Sequence, residues 1–146
     1  MDLVREASRE LVKALGNKIV AIALFGSRAR KEASCRGDYD FFVVVRNFRD
    51  KNRRFKIYHH LHKVLKSDIT VVDVDEERLF NERLSITPLL LNVAWDAEVL
   101  CDPSGRLEEL FERIRKAAKE KLVRYRTKDG KYGWKPKNGK LEPMEV

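Results

Sequence analysis

Four short apolar runs are the clearest pattern in this chain, and each predicts a β-strand. Residues 19–25 and 39–45 are rich in β-branched and aromatic side chains, and residues 68–74 form a similar run. Runs of this length are typical of strands that are covered on both faces. A shorter run at 98–101 predicts a fourth strand.

Between these runs, apolar residues recur every three or four positions, which is the spacing of helices with one buried face. Residues 28–37 are polar and basic, and they predict a loop or a short helix. The predicted helices cover residues 3–15, 50–66, 76–83, 87–94 and 107–122. This order of elements implies an α/β (α+β) fold, in which a mixed sheet of about four strands packs against helices.

The composition limits the class of protein further. A length of 146 residues suits one domain. Residues 1–15 carry charges throughout, unlike a secretory leader, and no stretch approaches the ~20 apolar residues of a membrane span. Cys35 and Cys101 are too few for a disulfide framework, so we expect a cytoplasmic protein that does not associate with membranes.

The net charge of +8 belongs to the C-terminal part of the chain. Residues 113–140 contain twelve Lys or Arg residues against two acids, whereas the rest is close to neutral. We therefore divide the chain into a domain at 1–124 and a basic, aromatic tail at 125–146. Such a tail suits a polyanion or an acidic partner, or it is simply solvated. Its aromatic residues fit packing or protein docking better than stacking on bases.

Gly26 and Ser27 follow the first predicted strand directly. A glycine lets backbone amides approach a ligand closely, and the serine adds a hydroxyl donor, so the pair suits a phosphate group. An ordinary turn at the end of a strand is the competing interpretation.

Asp38 and Asp40 open the second predicted strand. Because side chains alternate along a strand, both carboxylates are expected on one face. Two neighbouring carboxylates repel each other unless a cation neutralises them, and such oxygen ligands suit Mg²⁺ or Mn²⁺. A solvated strand end is the alternative.

Asp68 opens the third predicted strand in the same way, and a third acid there could complete a two-metal site. Asp73 and Asp75, at the other end of that strand, compete for this role. We favour Asp68 because it stands at the beginning of its strand, as Asp38 and Asp40 stand at the beginning of theirs.

Together these features resemble the nucleotidyltransferase superfamily of DNA polymerase beta. The family pattern is a buried strand, Gly-Ser, a short linker, Asp-Xaa-Asp on the next strand and a later strand-borne acid. Here it reads LFGSRARKEASCRGDYDFFVVV and SDITVVDVD. Within the superfamily, residues 1–120 look most like the minimal nucleotidyltransferases (MNT) of bacteria and archaea, because Pro88–Asn92 and Val99–Pro103 also match them.

The resemblance implies a Mg²⁺-dependent (or Mn²⁺-dependent) transfer of a nucleoside monophosphate, AMP from ATP, to a hydroxyl group. Asp68 is implied to orient the second metal and the attacking hydroxyl. The implied catalytic and metal-binding residues are Asp38, Asp40 and Asp68, and the implied nucleotide-binding residues are Gly26, Ser27, Arg28 and Arg30. Tyr39 departs from the small or aliphatic residue usual between the two acids, but alternation predicts that it points to the opposite face.

Minimal nucleotidyltransferases are commonly paired with small helical proteins of the HEPN type, which implies an antitoxin that transfers AMP to a tyrosine of its partner toxin. The chain lacks the added helical domain of larger relatives, so a homodimer or the partner is expected to complete the site. Two alternatives stay open. The chain could neutralise its partner by contact without catalysis, or transfer nucleotides to RNA held by its basic tail.

Overall fold

The computed structural model describes residues 2–31 and 38–137, so Cys35 and the end of the predicted tail lie outside the described residues. A short 3-10 turn, Gly16–Lys18, joins the first helix to the first strand. The helices are α1 Asp2–Leu15, α2 Gly26–Arg30, α3 Arg53–Leu65, α4 Glu76–Leu79, α5 Pro88–Asp96 and α6 Arg106–Lys121. The strands are β1 Ile19–Phe25, β2 Tyr39–Val45, β3 Ile69–Asp75, β4 Glu98–Cys101, β5 Leu122–Arg126 and β6 Tyr132–Pro136.

The first four strands form one mixed sheet in the order β3-β2-β1-β4. β1 runs antiparallel to both of its neighbours, whereas β2 and β3 are parallel. This arrangement confirms the predicted mixed sheet of four strands. The parallel pairing places the beginnings of β2 and β3, where the predicted acids stand, at the same end of the sheet.

Each face of the sheet carries its own hydrophobic core. On one face, β1 to β3 pack against α1 and α3, with Phe41, Ile57 and Leu61 fully buried. On the other face, the alternate side chains of the same strands pack against α5 and α6, around Phe42 and Phe111. The central strands are therefore covered on both sides, which is the reason for their continuous apolar sequence.

Side-chain hydrogen bonds decide where several helices begin and end. Thr87 Oγ1 accepts a hydrogen bond from the Leu90 amide at 3.1 Å, and Pro88 occupies the first position of α5, as the sequence predicts. The predicted helix at 76–83 is shorter, because Asn81 Oδ1 accepts from the Arg83 amide at 2.9 Å. That local turn competes with a further helical turn.

The predicted tail contains most of a second, two-stranded sheet, and β6 includes the short strand that the sequence suggests near Tyr132–Trp134. β5 and β6 pair antiparallel, with Leu122 opposite Pro136 and Arg126 opposite Tyr132. The predicted boundary at residue 124 thus falls within β5. None of the helices in the described part of the chain combines the length and apolar character that a bilayer crossing requires.

Candidate active site

The end of β1 lies directly against the beginning of β2. Gly26 has a φ of +76°, and a Cβ atom added there would overlap the Asp40 carboxylate. Only a residue without a side chain permits both the backbone conformation and this close approach. The glycine of the Gly-Ser motif is therefore needed structurally, because it allows the β1–α2 turn to lie against the acid of β2.

Asp38 and Asp40 share a face of the sheet, as predicted. Phe42 and Val44 pack in the core under α5 and α6, and alternation places the two acids on that face. Tyr39 instead packs with the core under α1 and α3. The prediction that its side chain points to the opposite face is confirmed.

The Asp40 carboxyl is held in a setting that disfavours its charge. Burial raises its pKa above the ordinary value, and the neighbouring Asp38 raises it further. The nearby Thr70 hydroxyl and the charge of Arg30 oppose this shift without cancelling it. Neither acid forms a salt bridge with another described residue, so the pair lacks a neutralising partner from the described chain.

Two carboxylates in this arrangement fit a divalent cation. Mg²⁺ is commonly held by one or two carboxylates, with water and substrate phosphates supplying the other ligands. Asp38 and Asp40 provide such a pair. Within residues 2–31 and 38–137, no group of three or more acidic, His or Cys side chains gathers at metal-binding distance.

Asp68 lies beside the pair in the backbone register. β2 and β3 pair Tyr39 with Ile69, and the Tyr39 amide donates to the Asp68 carbonyl at 3.0 Å, so Asp68 is the neighbour of Asp38. The Asp68 side chain is exposed and does not line the cleft described below. Thr70, which sequence reasoning missed, donates to Asp38 Oδ2 at 3.4 Å. A catalytic role for Asp68 stays a prediction.

The two competing acids of β3 have other partners. Asp73 bonds Arg53 Nε at 2.5 Å and Arg54 Nε at 2.6 Å, and Asp75 bonds Arg53 Nη1 at 2.8 Å. Both acids stand on the α3 face of the sheet, away from the face of Asp40. The arginines neutralise them, so these acids hold α3 to β3.

The acid pair opens into a cleft of about 470 Å³ between the end of β1, α5 and the β5–β6 hairpin. Predicted site residues line it together with residues that are distant in sequence. Its polar lining residues include Ser27, Arg30, Asp38, Asp40, Asn92, Asp96, Arg124, Lys131 and Tyr132. Arg28 is absent from this wall: its guanidinium stacks on the Tyr39 ring at 4.1 Å and donates to the Tyr39 hydroxyl at 3.2 Å.

A buried ion-pair cluster fixes one side of the cleft. Asp96, whose side chain is 4% exposed, bonds Arg30 Nη1 at 2.7 Å. Arg124 bonds the same carboxylate through Nη1 at 3.0 Å and Nη2 at 3.1 Å. A single negative charge thus holds two guanidinium groups, which ties α2, α5 and β5 together and leaves the cluster with one net positive charge.

The hairpin is anchored to α5 beside this cluster. Asn92 Oδ1 accepts from Trp134 Nε1 at 3.0 Å and from Arg124 Nη2 at 3.2 Å, and the Trp95 and Trp134 rings meet edge to face. The Arg124 guanidinium lies 3.9 Å from the centre of the Tyr132 ring. These contacts account for Tyr132 and Trp134 by packing and make the hairpin a wall of the cleft.

The sequence alone predicts no role in the site for Asn92, Asp96 or Arg124. Asn92 falls within the Pro88–Asn92 motif, and this was the one available signal. Asp96 and Arg124 are 28 positions apart and lie on different elements. No local sequence pattern therefore predicts that they pair.

The sheet order, the Gly-Ser turn and the acid pair on the adjacent strand define a nucleotidyltransferase fold. Residues 9–90 match the family "Polymerase beta, Nucleotidyltransferase". Because this match covers more than half of the chain, the chain belongs to that family.

Solved structures support the same fold. A chain in a toxin–antitoxin complex with AMP-PNP is 20% identical, with a TM-score of 0.56, over 80% of this chain and 87% of that chain. A chain in the complex of tri-AMPylated HEPN toxin and MNT antitoxin from Shewanella oneidensis is 19% identical, with a TM-score of 0.54, over 82% and 87%. No curated protein matches the sequence. At these identities the likeness establishes the fold alone.

Proposed function

We propose that this protein is a Mg²⁺-dependent nucleotidyltransferase that transfers AMP from ATP to a hydroxyl group of a partner protein. The observation that carries the proposal is the pair Asp38 and Asp40 at the mouth of the cleft. The two acids share one face, form no salt bridge with a described residue, and lie against the Gly-Ser turn. Burial and the neighbouring Asp38 disfavour the charge of Asp40, and a bound cation would relieve both effects.

The chain's own residues have distinct tasks in this reaction. Asp38 and Asp40 would hold Mg²⁺, which when bound offsets the negative charge of the phosphoryl oxygens. Gly26 and Ser27 would bind the triphosphate beside the acids. Asp68, next to Asp38 in the register, would orient the attacking hydroxyl.

The bond changes follow from in-line substitution at the α-phosphorus. The acceptor oxygen forms a bond to this phosphorus while the bond to the β-phosphate oxygen breaks. Pyrophosphate leaves, and the hydroxyl proton passes to a base or to water.

The acceptor we propose is a tyrosine of a HEPN-type helical toxin, for which the chain would act as the antitoxin. A tri-AMPylated HEPN toxin stands in complex with an MNT antitoxin in a structure that contains a chain with this fold. Among the described residues, the cleft is lined by the β1–α2 turn, the start of β2, α5 and the β5–β6 hairpin. An acceptor that is itself a protein fits such a cleft.

A transfer assay with α-³²P-labelled ATP and Mg²⁺ tests this function. The purified protein is incubated with the protein encoded next to it, and the variants are Asp38→Asn/Asp40→Asn and, as a matched control, Asp73→Asn. We expect label on the neighbour with the wild type and with the control, and none with the double variant.

The acceptor is tested by replacing the neighbour's tyrosines with phenylalanine one at a time. Loss of label and continued toxicity for one replacement support AMP transfer as the means of neutralisation. A stable complex that silences the neighbour without any label would contradict the catalytic proposal and favour neutralisation by contact.

A further inference from the structure

We propose that Lys131, in the loop of the β5–β6 hairpin, is a phosphate-binding residue of this site and contacts the triphosphate of the bound nucleotide. The inference deepens the proposed function and rests on it. It assigns the hairpin a direct part in substrate binding, in addition to its packing on α5.

The cations that the sequence suggests for this task are already engaged. Arg30 bonds the buried Asp96 carboxylate, and Arg124 bonds the same group through two nitrogens. Arg28 stacks on Tyr39 and does not line the cleft. Moving Arg30 or Arg124 to a phosphate would leave the Asp96 carboxylate, 4% exposed, with only one partner, which is costly for a buried charge.

Lys131 differs from Arg30 and Arg124 in its pairing and from Arg28 in its position. It lines the same cleft as Ser27, Asp38 and Asp40. Its side chain is exposed, and its ammonium forms no salt bridge with any residue in the described part of the chain. A lysine ammonium is a compact point charge on a flexible stem, which is suited to phosphate oxygens.

The backbone of Lys131 is fixed before any ligand binds. Its amide donates to Thr127 Oγ1 at 3.1 Å, and its carbonyl accepts from the Thr127 amide at 2.8 Å. The ring centre of the next residue, Tyr132, lies 4.8 Å from the guanidinium group of Arg30 and 3.9 Å from that of Arg124. The hairpin therefore holds Lys131 at the rim of the cleft, so less entropy is lost when it binds a ligand.

The charge balance of the cleft favours such a residue. A triphosphate placed beside Asp38 and Asp40 adds negative charge to two carboxylates that already repel each other. A bound cation neutralises part of this charge, and the ion-pair cluster around Asp96 contributes one net positive charge. Lys131 adds a further positive charge from the hairpin that lines the cleft.

The test is the affinity for α,β-methylene ATP, whose α–β bridge cannot be cleaved, measured by calorimetry with Mg²⁺. We compare Lys131→Gln with Lys128→Gln, which removes the same charge from the same hairpin loop but outside the cleft lining. We expect Lys131→Gln to weaken binding about tenfold, as for loss of a charge-assisted hydrogen bond. Lys128→Gln should change it less than about twofold, and Lys131→Arg should restore most of the affinity.

Three outcomes separate the two proposals. Equal affinities for Lys131→Gln and Lys128→Gln, while the wild type binds the analogue, overturn the role of Lys131 and leave the proposed function standing. A tenfold loss that Lys131→Arg does not restore, with a lowered thermal unfolding midpoint, shows a structural effect and also overturns it. Failure of the wild type to bind the analogue overturns the proposed function, and the role of Lys131 with it.

Discussion

Two acid pairs on the same sheet have opposite surroundings. Asp38 and Asp40, where β2 begins, form no salt bridge with a described residue and line a cleft. Asp73 and Asp75, near the end of β3, are held by arginines of α3. Both pairs have the spacing Asp-Xaa-Asp, so the motif alone does not distinguish a cation site from a structural ion pair.

The pKa shifts record the same difference. Burial and Asp38 raise the pKa of Asp40. Burial also raises the pKa of Asp73, but the hydrogen bonds and charges of Arg54 and Arg53 outweigh it, so the net shift is downward. A partly buried acid with a raised pKa is a candidate for ligand binding, so this difference supports our proposal that Asp38 and Asp40 hold the cation.

The largest effect is expected for Asp40→Asn. AMP transfer should fall roughly a hundredfold or more, because a group that stabilises the transition-state charge is lost. Stability should be unchanged or slightly higher without metal, since the replacement removes the repulsion from Asp38. Initial rates of label transfer and thermal unfolding check both parts of the prediction. A variant that is destabilised as well as inactive would count against the predicted contrast between the two acid pairs.

Gly26→Ala should reduce transfer about tenfold to a hundredfold. The added methyl group would displace the Asp40 carboxylate, and a displacement of about 1 Å can have an effect of this size. The positive φ adds a stability cost of about 1 kcal/mol. Rates within twofold of the wild type would show that the close approach of the turn to Asp40 is dispensable.

Asp73→Asn should show the reverse pattern. Two guanidinium groups lose a charged acceptor, one of them largely exposed, so we expect a loss of about 1.5 kcal/mol in the free energy of unfolding. Transfer should stay within about twofold of the wild type, because this acid lies on the other face of the sheet. Chemical denaturation and the transfer assay measure the two quantities, and a large loss of transfer in a folded variant would assign this acid to the site.

The smallest effect is a pH dependence of opposite sign at the two pairs. Asp73 has a lowered folded pKa, so its contribution to stability is present above its unfolded pKa and is lost as pH falls through the folded value. The cost of Asp73→Asn should therefore shrink below about pH 4. For Asp40, the loss of stability caused by its charge is complete above its raised folded pKa. This loss is relieved as the pH falls through that pKa. Denaturation of the metal-free variants at several pH values measures both trends, and parallel trends would refute the contrast.

The local patterns of the chain were enough to predict the sheet and the acid pair. The apolar runs gave β1 and β2 with the bounds that the structure has, and alternation placed Asp38 and Asp40 on one face. Asp96 and Arg124 were not predicted, because they meet only in the tertiary structure and no periodic sequence pattern connects them. β5 was not predicted, because Leu122 continues the helical spacing of α6, yet adopts an extended conformation and packs beside the α5–α6 core.

The most direct test of the central claim is cation binding by the acid pair itself. We would titrate the nucleotide-free protein with Mn²⁺ and follow the free ion by electron paramagnetic resonance, comparing the wild type, Asp38→Asn/Asp40→Asn and Asp73→Asn. The account predicts that the wild type and Asp73→Asn remove Mn²⁺ from solution, whereas the double variant does not. Equal Mn²⁺ binding by all three proteins, each shown to be folded, would contradict it.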